Sequence, residues 1–304
     1  MIALRVVALA VLYFVCFSGV SAALLPPAPG APAPDPAAAG AALLAVSALN
    51  AAAIAYVVRH SRWHGWRLAA TMFVVLYGVI TVMPQIETAF FITRLPAGIL
   101  PRLFLAGAVV AALVAPLAVW VMGRWKEGDR GAWDATRLQL SPTGWVARLA
   151  IIVVAYLWLY FTFGYYVAWK SEAVRAYYGG VDPGSYLAQI RSVLRDTPRL
   201  VPLQVVRALL WAAIALPVIR MTTGAWWKAG LAVSLLFCVV MNTQLLLPNP
   251  YMPAEVRMRH LVETASSNFV FGWAVVTTLL WRRRSARDAS RGTLTDRHTV
   301  FIDR

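Results

Sequence analysis

The sequence predicts an all-α polytopic membrane protein, a bundle of about eight transmembrane helices that divides into two four-helix halves. Composition is the first observation behind this reading: of 304 residues, 60% are hydrophobic and 13% charged, and the mean hydropathy of +0.65 lies outside the range of soluble domains. Spacing is the second. Apolar runs long enough to cross a hydrocarbon core of about 30 Å recur along the chain, separated by short polar or basic turns. The third is where the net charge of +15 sits, which is in those turns and in the C-terminal tail, as expected of loops facing the cytoplasm. Nucleic acid is therefore excluded as the expected partner, and the lipid bilayer takes its place. Cys16 and Cys238 each stand alone inside an apolar run, so neither a disulfide framework nor a thiolate metal site is indicated.

Residues 3–25 form the first expected span, with Arg5 just inside its start. The small residues of Gly19-Val-Ser-Ala22 also resemble a signal-peptide cleavage site, but the apolar stretch exceeds a usual signal core, which favours an uncleaved span. A Pro- and Ala-rich connector without positive charge, residues 26–36, leads to the second span at 38–58. That span closes on a basic, tryptophan-bearing turn from Arg59 to Arg67, of interfacial character. The third span is expected at 68–91 and the fourth, rich in Gly and Ala, at 103–122. After a mixed-charge loop at 124–148, the fifth span covers 149–169 and turns aromatic toward its far end. The following loop contains residues 185–196, where Leu187, Ile190, Val193 and Leu194 share one helical face, as in a helix lying on the membrane surface. Spans six, seven and eight are expected at 200–219, 229–247 and 266–281, ahead of a tail opening Arg282-Arg283-Arg284. Loops on the side of the termini carry roughly twice the Lys and Arg of the others, which places both termini in the cytoplasm of a bacterial inner membrane.

The halves resemble each other. Val46-Ser-Ala-Leu-Asn-Ala-Ala-Ala-Ile-Ala55 matches Val206-Arg-Ala-Leu-Leu-Trp-Ala-Ala-Ile-Ala215 at seven of ten positions. Arg59 and Arg220, Trp66 and Trp227, Arg67 and Lys228, and Trp120 and Trp281 share an offset of 161. The expectation is a tandem repeat, 1–140 and 141–285, followed by a basic tail at 286–304. An even number of spans per unit makes the halves parallel, related by an axis along the membrane normal.

The polar residues gather toward one face. Glu87 ends the otherwise apolar third span, and an ionisable side chain in or at the edge of a bilayer is a candidate functional group by default. At 1.5 Å per residue it lies about 30 Å beyond Arg67, near the extracytoplasmic boundary. Gln85, Asn242, Gln244, His260, Glu263 and Asn268 fall at similar depth and complete the candidate binding set for a small solute, proton or cation. Glu87 is expected to face the bundle interior with His260 or Gln244 as partner; the bland alternative wets it or pairs it with Arg94 or Arg102. Glu255, Arg259 and Glu263 follow each other at four-residue steps, which fits a surface ion ladder. His260 and Glu263, three residues apart, also fit a metal pair with Glu87 as third ligand, a thin set. No cofactor is expected. Arg207, inside span six, reads as a charge partner within the bundle or a snorkelling side chain.

The sequence contains no Gly-x-x-x-x-Gly-Lys, His-Glu-x-x-His or Gly-x-Ser-x-Gly motif, and the Glu87 stretch lacks the doubled glutamate expected of intramembrane prenyl-protein proteases. Three functions remain. The first is a secondary-transporter-like or solute-binding membrane protein with its polar site around Glu87. The second is an integral membrane enzyme with an outer-face Glu/His site, and the third a non-catalytic assembly or sensory subunit whose basic tail meets a partner.

Overall fold

The computed structural model describes residues 1–26, 35–92, 95–126, 128 and 138–281. Most of the expected Pro-rich connector, Arg94, much of the 124–148 loop and the basic tail lie outside the described residues. The described residues are 82% helical, and the one β contact among them is an isolated bridge between Ser61 and Thr222.

Seven described helices are long and apolar enough to cross a membrane: α1 (Ile2–Leu24), α2 (Pro36–Arg59), α3 (Gly65–Phe91), α4 (Ile99–Val121), α5 (Pro142–Ala168), α8 (Leu200–Met221) and α9 (Trp226–Leu246). Two short helices intervene, α6 (Glu172–Tyr178) and α7 (Tyr186–Asp196). The last helix, α10 (Ala254–Leu280), has 27 residues, about 40 Å at 1.5 Å per residue. Its first half carries Glu255, Arg257, Arg259 and Glu263, which sets it apart in composition from the seven. Pro253 stands at its N-cap, and the helix runs on unbroken into the expected span at 266–281.

Local chemistry explains several starts. Asp35 accepts from the amides of Ala37 and Ala38, both at 3.2 Å, with Pro36 in the first turn of α2. Ser141 takes the Gly144 amide at 3.1 Å, again ahead of a proline, and Ser185 takes that of Ala188 at 3.2 Å. Each cap satisfies an amide that the helix itself leaves open. The unforeseen α6 ends at Gly179, whose φ of 71° suits a residue without a Cβ. Between α6 and α7, Asp182 accepts the Gly184 amide at 2.8 Å, which holds its carboxyl below the usual range. No residue of α7 is buried, and Leu187 and Leu194 lie exposed on it.

Helix packing follows one scheme twice. α1 packs on α2 and α4, and α4 packs on α3; α5 packs on α8 and α10, and α10 packs on α9. Across the two sets, α3 meets α8 and α2 meets α9. Around the Ser61–Thr222 bridge the Arg62 amide donates to the Met221 carbonyl at 2.7 Å, and the Thr223 amide donates to the His60 carbonyl at 2.8 Å. Adding 161 to His60 and Arg62 gives Met221 and Thr223, so the two bonds exchange under the offset seen in the sequence. Reciprocal contacts of this kind are what a two-fold axis generates. Beside the bridge the buried Arg124 donates to the carbonyls of Ser61 and Trp63, both at 3.1 Å.

Glycine sets the closest approaches. A Cβ on Gly272 of α10 would lie 2.6 Å from the Ser234 Cα of α9, which is backbone and cannot rotate away. Gly272→Ala is therefore expected to destabilise the protein by about 1–3 kcal/mol. Gly19→Ala, whose added methyl would meet nothing within 4 Å, is expected to stay within about 0.5 kcal/mol of the parent. Thermal unfolding of purified protein in detergent measures both; equal effects would contradict the tight α9–α10 contact.

Candidate functional site

Arg207 dominates the polar end of the bundle. It lies in α8 seven residues after Leu200, about 10 Å into the helix, and only 2% of its side chain is exposed. A guanidinium so placed needs an anion, since the uncompensated charge would cost several kcal/mol. Glu87 supplies it from α3, with its Oε1 bonded to Arg207 Nη1. Arg207 Nη1 also donates to Gln204 Oε1, one turn earlier on α8, at 2.8 Å. The partners are unequally sealed, for Glu87 keeps 24% of its side-chain surface. From α5, Tyr156 stands with its ring centroid 5.9 Å from the Arg207 guanidinium carbon. Tyr156 and Tyr160 both lie within the fields of Arg207, Glu87 and Glu263.

Two buried polar atoms here have no hydrogen-bond partner among the described residues, Arg207 Nε and Gln204 Nε2; elsewhere on α3, Gln85 Oε1 also has none. Trp211, one turn beyond Arg207, directs its indole toward the Tyr156 hydroxyl without reaching hydrogen-bond geometry. Donors thus outnumber acceptors around the pair.

A second cluster lies against the first. His260 Nδ1 is 2.7 Å from Glu263 Oε2 and its Nε2 is 3.1 Å from the Tyr178 hydroxyl, which aligns carboxylate, imidazole and phenol. Glu263 adjoins a wide turn of α5, where a Cβ on Gly164 would sit 3.5 Å from its Oε1. Glu263 is buried at 9% exposure, so the surface ladder with Glu255 and Arg259 gives way to an inward pair with His260.

Asn242 and Gln244, by contrast, serve the backbone. Among the described residues three helices contain a π turn, at Gly78–Val82 in α3, Gly164–Ala168 in α5 and Leu236–Val240 in α9. Widened turns disturb the regular ladder, and lipid offers no water to compensate. Asn242 Nδ2 donates to the Phe237 and Cys238 carbonyls at 3.0 and 2.9 Å. Gln244 Nε2 donates to the Ile80 carbonyl at 2.8 Å, and Asn268 Nδ2 points to Met241 Sδ at 3.2 Å. Gln244 and His260, the expected partners of Glu87, are committed elsewhere; Arg207 holds that place, and Arg102 lies exposed. Among the described residues no group of three or more His, Cys, Asp or Glu is arranged to hold a metal, so the Glu87, His260 and Glu263 set is not a ligand cluster.

Sequence reasoning noticed Arg207 but did not join it to Glu87, and it passed over Gln204, Tyr156, Tyr160 and Tyr178. The available signal was a charge of each sign inside apolar spans; which spans adjoin is a matter of packing. Comparisons with protein-family profiles, with curated proteins and with solved structures found no match in any of the three.

Unequal burial makes the pair testable. Glu87→Gln strands a sealed guanidinium and is expected to cost about 3 kcal/mol, whereas Arg207→Gln leaves a carboxylate that retains some exposure and should cost about 1 kcal/mol. The double substitution should cost less than the two summed. Additive losses in thermal or denaturant unfolding would rule out the ion pair.

Proposed function

We propose that the chain is a secondary-transporter-like or solute-binding membrane protein whose polar site is the Glu87–Arg207 pair. The observation that carries this reading is the pair itself, an ion pair between membrane-spanning helices with unpartnered polar atoms beside it. Charged side chains inside spans are costly and mark ion or substrate paths. α3 and α8 come from different four-helix sets, which we read as a parallel tandem repeat. Sites at the interface of such repeats suit alternating access, because rocking one unit against the other opens the site to either side. In this reading both termini face the cytoplasm of a bacterial inner membrane and the Glu87 end faces outward, as the distribution of Lys and Arg supports.

A second reading, an integral membrane enzyme, is favoured by the line of Glu263, His260 and Tyr178. A carboxylate that orients an imidazole toward a hydroxyl is a usual way to build a general base. His260→Gln distinguishes the two: it should abolish turnover in the enzyme and leave solute binding at Glu87 largely intact in the transporter.

The test is a solute panel of amino acids, small carboxylic acids, sugars and monovalent cations, offered to proteoliposomes of the full chain. At least one solute is expected to bind or cross, with its affinity or the pH dependence of that affinity changed at least tenfold by Glu87→Gln. No movement or binding of any class, or movement indifferent to Glu87, defeats the proposal. Stoichiometric metal in elemental analysis of the purified protein would favour the enzyme. For orientation, reporter fusions at Gly128 and Gly180 are expected on opposite sides of the membrane, and the same side for both would overturn the topology.

A further inference from the structure

We infer that the site binds a small carboxylate anion that displaces Glu87 from Arg207, and that one proton enters with it. The inference rests on the solute-binding reading above and names its substrate class.

Charge balance is the core of the argument. Arg207 is sealed to 2% exposure and pairs with Glu87. A proton placed on Glu87 alone would leave a buried guanidinium uncompensated, and a cation bound there would compete with Arg207 for the same carboxylate. An anion added alone would give two negative charges against one positive. The neutral exchange takes both: the incoming carboxylate pairs with Arg207, Glu87 releases it, and the proton forms an O–H bond on Glu87. No other bond changes, and the net charge of the site is the same before and after. A carboxylate fits because a carboxylate already occupies the place.

The donor surplus points the same way. Glu87 bonds to Arg207 through Nη1, while Arg207 Nε and Gln204 Nε2 remain buried without partners. A free carboxylate has two oxygens and no tether to α3, so it can engage donors that the side chain of Glu87 leaves unused. Glu87, with 24% exposure, is the partner with room to withdraw. Around it stand Arg207 and Gln204 on α8, Tyr156 and Tyr160 on α5, and Tyr178, His260 and Glu263 from α6 and α10. His260 and Glu263 are bonded to each other, which leaves Glu87 as the acidic group that Arg207 controls.

The fold does not require charge at such a junction. Where α2 meets α1 and α9, Asn50 donates to the Tyr13 hydroxyl at 2.9 Å and accepts from Thr243 at 2.9 Å, a buried neutral link. α8 meets α5 and α3 in the corresponding way. There the link is ionic and donors are left over.

The experiment uses the purified full-length protein in weakly buffered phosphatidylcholine nanodiscs, titrated with acetate, benzoate and oleate while a pH indicator records proton exchange. Binding of any of the three with about one proton taken up per anion is expected, and affinity should tighten about tenfold for each unit fall in pH over the range of uptake. Soluble probes and oleate distinguish an aqueous carboxylate from one delivered by the bilayer. Glu87→Gln should bind without proton uptake and without pH dependence, and Arg207→Gln should weaken binding at least tenfold. Binding without proton uptake in the parent protein, or no binding of all three probes, overturns the inference. The proton count on the parent protein stands even where a variant fails to fold. If a cationic or neutral solute instead binds in a Glu87-dependent way, the carboxylate assignment falls and the solute site stands; if no solute depends on Glu87, both fall.

Discussion

A guanidinium removed from water between apolar helices must be matched by negative charge, because several kcal/mol separate a paired buried ion from an unpaired one. Arg207 imposes that condition on the bundle. Glu87 meets it from α3, a helix of the other four-helix set, so the charge requirement of one set is satisfied by the other. Gln204 takes up part of what remains. The same pairing holds α3 against α8, and any change at Glu87 has to preserve the balance around Arg207.

Most other polar side chains in this part of the protein have a different duty. π turns interrupt α3, α5 and α9, and in a medium without water their carbonyls are best served by donors from the protein. Asn242 and Gln244 act in this way toward α9 and α3. Polar residues at similar depth thus divide into those whose hydrogen bonds close on the backbone and those around Arg207 whose bonds do not. The second group is the one with capacity for a ligand.

At the opposite end of the bundle the two sets are joined through backbone. Reciprocal bonds around Ser61 and Thr222 join the turn after α2 to the turn after α8, and Arg124 binds the first of these turns through two carbonyls. In the transporter-like reading proposed above, a backbone contact at that end and an ion pair at the other would let the two sets rock about a fixed contact.

Hydropathy alone determined the all-α membrane class and the approximate spans, because apolar runs of spanning length leave the backbone no other way to satisfy its hydrogen bonds in lipid. The offset of 161 was legible too, and it is the offset by which the bonds at Ser61 and Thr222 exchange. Glu87 and Arg207 were each visible as charges inside apolar runs. Their pairing was not: 120 residues separate them, and periodicity along one helix says nothing of which neighbour its polar side meets. Nor does hydropathy show that the charged first half of α10 turns Glu263 inward toward His260. The composition of each helix is a property of local sequence, but the partner of a buried charge is chosen by packing, and only the tertiary structure brings α3 and α8 together.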